Sequence, residues 1–318
     1  MSPTGTGPAV ETPASPGRAR DVVPREVLKQ VRLIELRTRG WVDSLFSGEY
    51  HSVFKGQGIE FSEVREYQPG DDVRNIDWNV TARAARPYVK KHVEERELTV
   101  LLVVDLSGSE QFGTKGRFKA ELAAEIAAVL ALSATRNNDR VGLLIFTDVV
   151  EHFVPPRKGR RHTLRMIRDV LAFSPERRGT SISPALDFAG RLLRHRSIVF
   201  VLSDFQVAPG GMDALQRTMK LVGKRHDLVA VRISDPREAE LPNAGLLVLT
   251  DPETGERVVV DSGSRSVRTD YARAVRTERE AIRRVFRQTA VDEIEVSTDA
   301  SYIGPLLAFF RRREKRRR

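Results

Sequence analysis

The run Leu98-Thr99-Val100-Leu101-Leu102-Val103-Val104, which stops abruptly at Asp105, constrains the fold more than any other stretch. It lacks the apolar–polar alternation of a strand with one solvated face. It therefore predicts a strand buried on both sides, as in a parallel sheet. Residues 198–202 form a second such run, ending at Ser203-Asp204. Between and after them the pattern alternates. Helices are predicted over 115–136, 161–173, from Ser183-Pro184, over 212–222 and over 268–287, with one more at the end. Strands are predicted over 141–146, 149–154, 228–233 and 293–296. Residues 245–249 and 257–260 read as a hairpin joined by Asp251-Pro252-Glu253-Thr254-Gly255. Strand–helix alternation implies an α/β fold with a doubly wound, mostly parallel sheet.

The region before this domain differs. Residues 1–22 are rich in Pro, Gly, Ser, Thr and Ala and cannot bury enough apolar surface to order themselves, so they are expected to be disordered. Pro24 suits a first helical turn. Val27, Leu28, Val31 and Ile34 then share one helix face, which predicts a helix ending before Gly40. Residues 48–97 are polar and turn-rich, with a strand-like run over 86–93. The smaller N-terminal segment, 23–96, is expected to pack on the domain of residues 97–310, leaving 311–318 as a basic tail.

Composition narrows the function. The chain has 318 residues and no cysteine, which excludes disulfides, thiolate metal sites and cysteine nucleophiles and suits a cytoplasmic setting. No stretch reaches the ~18 apolar residues a membrane helix needs, and the N-terminus has no apolar signal core. The net charge is +10, but the final RRREKRRR holds seven basic residues and one acid. Such a tail can touch nucleic acid or anionic lipid. With no aromatic residues interleaved to stack on bases, it reads instead as a solvated end.

In a doubly wound sheet, ligands sit beyond the carboxyl ends of the strands. There the chain places Asp105-Leu106-Ser107-Gly108-Ser109, Arg178-Gly179-Thr180-Ser181 and Ser203-Asp204-Phe205. Alternate residues of an extended loop point the same way, so Asp105, Ser107 and Ser109 can converge. With Thr180 and Asp204 they form an oxygen donor set for a hard divalent cation, Mg²⁺ or else Mn²⁺ or Ca²⁺. Two carboxylates balance the ion and three hydroxyls bind it weakly. It then stays attractive to a carboxylate from a protein partner. The competing reading is that Asp, Ser and Gly merely cap and turn these loops.

These residues, together with longer strings, make the chain resemble a bacterial family, domain of unknown function 58, whose members carry a von Willebrand factor type A-like fold. The strings are Gly56-Gln57-Gly58-Ile59-Glu60-Phe61, Arg65-Glu66-Tyr67-Gln68-Pro69-Gly70-Asp71-Asp72, Arg74-Asn75-Ile76-Asp77-Trp78, Thr81-Ala82-Arg83 and Pro155-Pro156-Arg157-Lys158-Gly159-Arg160-Arg161-His162. The resemblance implies a metal-ion-dependent adhesion site at Asp105, Ser107, Ser109, Thr180 and Asp204, and a MoxR-type AAA+ ATPase as partner in the assembly or maturation of other proteins. Glu110 departs from the family pattern, where an apolar residue is common; this acid can reach the ion or repel a partner's carboxylate. In the upstream strings, Glu66, Asp71, Asp72, Arg74, Asp77 and Arg83 suit either an interaction surface or, preferably, a buried salt-bridge and turn network with Trp78 as packing anchor. The basic turn Arg157, Lys158, Arg160 and Arg161 suits an acidic partner or plain solvation.

Enzyme readings are weaker. Gly108 to Lys115 mimics a phosphate-binding loop, but threonine stands where lysine must follow the second glycine. Ser107 replaces the second acid of an aspartyl phosphatase. No G-x-S-x-G elbow is present. The six histidines show no ligand spacing. A non-enzymatic, metal-dependent adaptor is therefore the expectation. A metal-dependent hydrolase using Asp105 and Asp204 is the alternative, and nucleic-acid or anionic-membrane binding through the tail a more distant one.

Overall fold

The computed structural model describes residues 25–46, 59–84, 86–94, 97–113, 118–208 and 210–317. The disorder expected of residues 1–22 lies outside them. The described chain begins with α1 (Arg25–Phe46), β1 (Ile59–Glu66), α2 (Trp78–Ala84) and β2 (Tyr88–Glu94). The sheet domain follows with β3 (Thr99–Asp105), α3 (Lys119–Arg136), β4 (Arg140–Phe146), β5 (Val150–Arg157), α4 (Arg160–Ala172), α5 (Ile182–Leu192) and β6 (Ile198–Ser203). Then come α6 (Met212–Arg225), β7 (Asp227–Ser234), the short α7 (Pro236–Ala239), β8 (Leu246–Thr250) and β9 (Arg257–Asp261). The order ends with α8 (Arg265–Thr289), β10 (Asp292–Ser297) and α9 (Ile303–Arg317).

The main sheet runs β10-β7-β6-β3-β4-β5, parallel throughout except for β5, which lies antiparallel on β4. The apolar run that ends at Asp105 is the middle of it. Val100, Leu102 and Val104 face a core shared with α3, α4 and α9. Leu101 and Val103 face the opposite core, built from α5, α6 and α8. Each such fully buried leucine contributes about 1.5–3 kcal/mol relative to exposure. Burial on both faces explains why the run shows no alternation. Strand order reverses around β3 and β6, so the loops after these two strands open at the crevice where doubly wound folds bind ligands.

Helix α1 lies across the α3–α4 side, where Ile34 packs on Ala128 and Ile167 and Glu35 pairs with Arg160. It runs to Phe46 and so passes through Gly40, where the sequence reading had ended it. A mid-helix glycine costs only about 1 kcal/mol, and the pattern continues beyond it with Trp41, Val42 and Leu45. The signature strings form an antiparallel pair, β1 with β2, closed by a turn network. Asp71 accepts the Arg65 guanidinium (2.6 Å) and the Gln68 N–H (2.9 Å); Asp72 caps a short 3₁₀ turn through the Arg74 N–H. Asp77 caps α2 through Asn79 and Val80, and Arg86 pairs with Glu66. The turn network is present, with two corrections: its ion pairs are not buried, Arg86 and Glu66 being largely exposed, and Trp78 is not its anchor. Trp78 is 70% exposed and joins no core among the described residues, standing on a short helix with no buried residues.

The basic end also differs from expectation. It continues α9 as helix instead of trailing free, although Arg311, Arg312, Lys315 and Arg316 are solvent-exposed as expected. Arg313 is clamped between Asp227 (2.6 Å) and Asp292 (2.6 Å) and lies over the Phe309 ring, while Arg316 reaches Asp292. The basic turn before α4 is likewise engaged, Lys158 with Glu97 and Arg160 with Glu35. Among the described residues no helix is long and apolar enough to cross a membrane.

Candidate metal centre

Asp105 ends β3 as the first polar residue of a buried run and is itself fully buried. Its Oδ1 accepts the Ser107 N–H at 2.9 Å, and its Oδ2 accepts the Ser203 hydroxyl at 2.7 Å. The next loop winds into a 3₁₀ turn, Gly108–Gln111, that brings the Ser107 and Ser109 hydroxyls to 3.1 Å from each other. Asp204 follows β6 on the neighbouring strand. The backbone there is strained, since Phe205 is held at φ 58°. Its ring is buried edge-on against Phe286, 5.1 Å between centroids, and its N–H is held by Ser203 Oγ. Non-glycine residues in this conformation cost about 1–3 kcal/mol and cluster at functional sites.

Glu110 joins these acids. Its Oε1 accepts the Asp204 N–H at 3.0 Å. Its Oε2 is buried and has no hydrogen-bond partner among the described residues. Asp105, Glu110 and Asp204 each offer a carboxylate oxygen, and these oxygens lie within 4.8 Å of one another. Burial, and then the charge of Asp204, pushes the Asp105 carboxyl up to about 7. The same two causes push Glu110 well above the usual range. Lys119, at the start of α3, is fully buried beneath them. Its ammonium donates to Asp204 Oδ2 and to Glu238 Oε1, both at 2.6 Å. Burial disfavours that charge, but Asp204, Glu110 and Glu238 outweigh the effect and hold it above the ordinary lysine value.

Thr180 sits just before α5. Its loop is tied to the other two edges, since Ser181 donates to the Thr147 carbonyl after β4 and Gly108 donates to the Arg178 carbonyl at 2.7 Å. The Thr180 hydroxyl donates to Glu253 Oε1 at 2.5 Å. Beside Asp204 a cleft of about 340 Å³ opens toward α8, lined by Gln206, Glu238, Tyr271 and Glu278.

The donor set fits a hard cation. Asp105, Glu110, Asp204 and Glu238 set four carboxylates against the single ammonium of Lys119, a formal excess of three negative charges, and the Glu110 oxygen without a partner among the described residues is the orphan that a bound ion would satisfy.

The sequence model of the family described as "Protein of unknown function DUF58" matches residues 63–281. The chain belongs to this family. An uncharacterized protein of Mycobacterium tuberculosis is 33% identical over 311 residues, covering 97% of this chain and 96% of that one. Among solved structures, the conserved hypothetical protein BatB from Bacteroides thetaiotaomicron is similar at 16% identity and a TM-score of 0.44, covering 69% of this chain and 99% of that one. A von Willebrand factor type A protein from Catenulispora acidiphila is similar at 14% identity and a TM-score of 0.33, covering 56% and 43%. The fold of this DUF58 chain is read from its own strand order.

Three participants escaped sequence reasoning. Lys119 is one lysine in an alanine-rich helix, Glu238 closes a capping box on the short α7, and Glu253 lies in the 251–255 turn. Only the last carries a usable signal, a carboxylate held in a D-P-E-T-G turn by the Asp251 side chain.

Proposed function

We propose that this protein is a metal-dependent protein-binding adaptor without catalytic activity, holding a divalent ion, Mg²⁺ first, through Asp105, Ser107, Ser109, Thr180 and Asp204 with Glu110 beside them. The observation that carries the reading is the convergence of buried acids from two strand ends, one with an oxygen left unpartnered among the described residues. The bound ion would supply an electrophilic attachment point for a carboxylate of the partner. Asp105 and Asp204 would fix its place, and the serine hydroxyls would leave it electron-poor. A cytoplasmic setting and a MoxR-type AAA+ ATPase as partner are the readings suggested by family resemblance.

The test is affinity capture with the full chain, in Mg²⁺ and in chelator, paired with calorimetric titration of Mg²⁺. Capture and Mg²⁺ binding should both disappear in Asp105→Ala while the circular dichroism stays that of the wild type. Capture that ignores chelator and the substitution alike would refute the adaptor reading. An AAA+ ATPase among the chelator-sensitive proteins supports the named partner, and its absence from them counts against it.

A further inference from the structure

We infer that Glu253, in the turn between β8 and β9, is an internal acidic ligand that covers the metal centre and occupies the coordination position a partner's carboxylate would take. The inference rests on the metal reading above and extends it to a residue outside the ligand set.

Two contacts place the turn on the site. Glu253 Oε1 accepts the Thr180 hydroxyl at 2.5 Å, although the two residues lie 73 positions apart. The Pro252 carbonyl is packed so closely on Gly108, between the two site serines, that a Cβ at that position would collide with it. Gly108 in turn bonds to Arg178, two residues before Thr180. The turn is therefore seated on both hydroxyl-bearing loops at once.

The turn is also built to present its acid. Asp251 Oδ1 accepts the N–H groups of Glu253 (2.8 Å) and Thr254, and the Gly255 N–H closes on the Asp251 carbonyl at 2.8 Å. Gly255 takes φ 75°, which glycine adopts without strain. Glu253 is half-buried while the residues flanking it are exposed. A surface glutamate is ordinarily solvated. This one is directed inward onto a threonine hydroxyl. A divalent cation makes that placement favourable, because it would bind the carboxylate together with Thr180.

In this arrangement an external carboxylate reaches the ion only by displacing Glu253. The hairpin that carries the turn pairs only with itself in the sheet, so its movement breaks no ladder of the main sheet.

The experiment uses Mn²⁺ as probe on the full chain, reading affinity by calorimetry and inner-sphere water by proton relaxation of the bound ion. Glu253→Ala should weaken Mn²⁺ by roughly tenfold, as expected for loss of one ligand, and add one exchangeable water to the bound ion. Millimolar acetate should then remove that water in the variant and leave the wild type unchanged. Glu253→Gln, which preserves the shape of the turn, is the second variant and should shift affinity in the same direction. Equal affinity and equal relaxation in wild type and both variants would overturn the inference. Asp105→Asn separates the two failures. If it binds Mn²⁺ like the wild type, the metal reading falls and the inference with it. If it does not bind and Glu253 variants are unaltered, only the inference falls.

Discussion

Glu110 Oε1 accepts the backbone N–H of Asp204 at 3.0 Å, across 94 residues of chain. The bond locks the loop after β3 to the loop after β6, and it also brings a third carboxylate to a site where two would balance a divalent ion. Burial makes that third charge costly in the ion-free protein.

Glu110→Gln should therefore separate stability from binding. The amide oxygen keeps the hydrogen bond to Asp204, and the buried charge is gone. Denaturant unfolding in chelator should show the variant more stable by roughly 1–3 kcal/mol at neutral pH. Calorimetry should show Mg²⁺ weakened by about tenfold or more. A variant less stable than wild type and equally avid for Mg²⁺ would show that Glu110 is a structural clamp only.

The pH dependence follows from Asp105. Its carboxyl titrates near 7 in the fold, chiefly through burial and secondly through the Asp204 charge, against about 3.9 in an unfolded chain. A raised acid favours the folded state while protonated. Its contribution is complete below about pH 4 and is lost as pH climbs toward 7, at no more than about 1.4 kcal/mol per unit. Divalent-ion affinity should rise over the same interval, since the ligand must lose its proton. Asp105→Asn isolates the group. In chelator, its stability advantage over wild type should grow from pH 4 to 7. A constant difference would contradict the assignment.

At the other end of the sheet, Arg313→Met should cost about 1–3 kcal/mol, because it leaves Asp227 and Asp292 facing each other without their shared cation. Arg316→Met should cost under about 1 kcal/mol, since that side chain is 62% exposed and water screens its pair. Equal losses in the two variants by urea unfolding would mean that the clamp is no firmer than a surface pair.

How much of this was legible depends on the range of the forces involved. Val100 to Val104 announced a central strand because burial on both faces is written directly into residue type. Asp105 and Asp204 were legible because each interrupts such a run. β1 was not, since Ile59-Glu60-Phe61-Ser62-Glu63-Val64 carries acids among its apolar residues and pairs only with β2. Trp78 misled because a tryptophan is expected to be buried, and Arg313 because its acids lie 86 and 21 residues away. Lys119 was invisible for the same reason. Nothing near it in sequence shows that Asp204 closes on it from the loop after β6 and Glu238 from α7.

The burial of Lys119 bears on how the site behaves when no ion is near. Loops rich in acid usually spring apart once their metal leaves, and such sites must be rebuilt at each encounter. Here an ammonium rooted in α3 keeps hold of Asp204 throughout. The receptor proposed above would thus be assembled once, during folding, and stay set between visits, so that exchange of an ion would be a matter of diffusion and desolvation with no refolding step in its way.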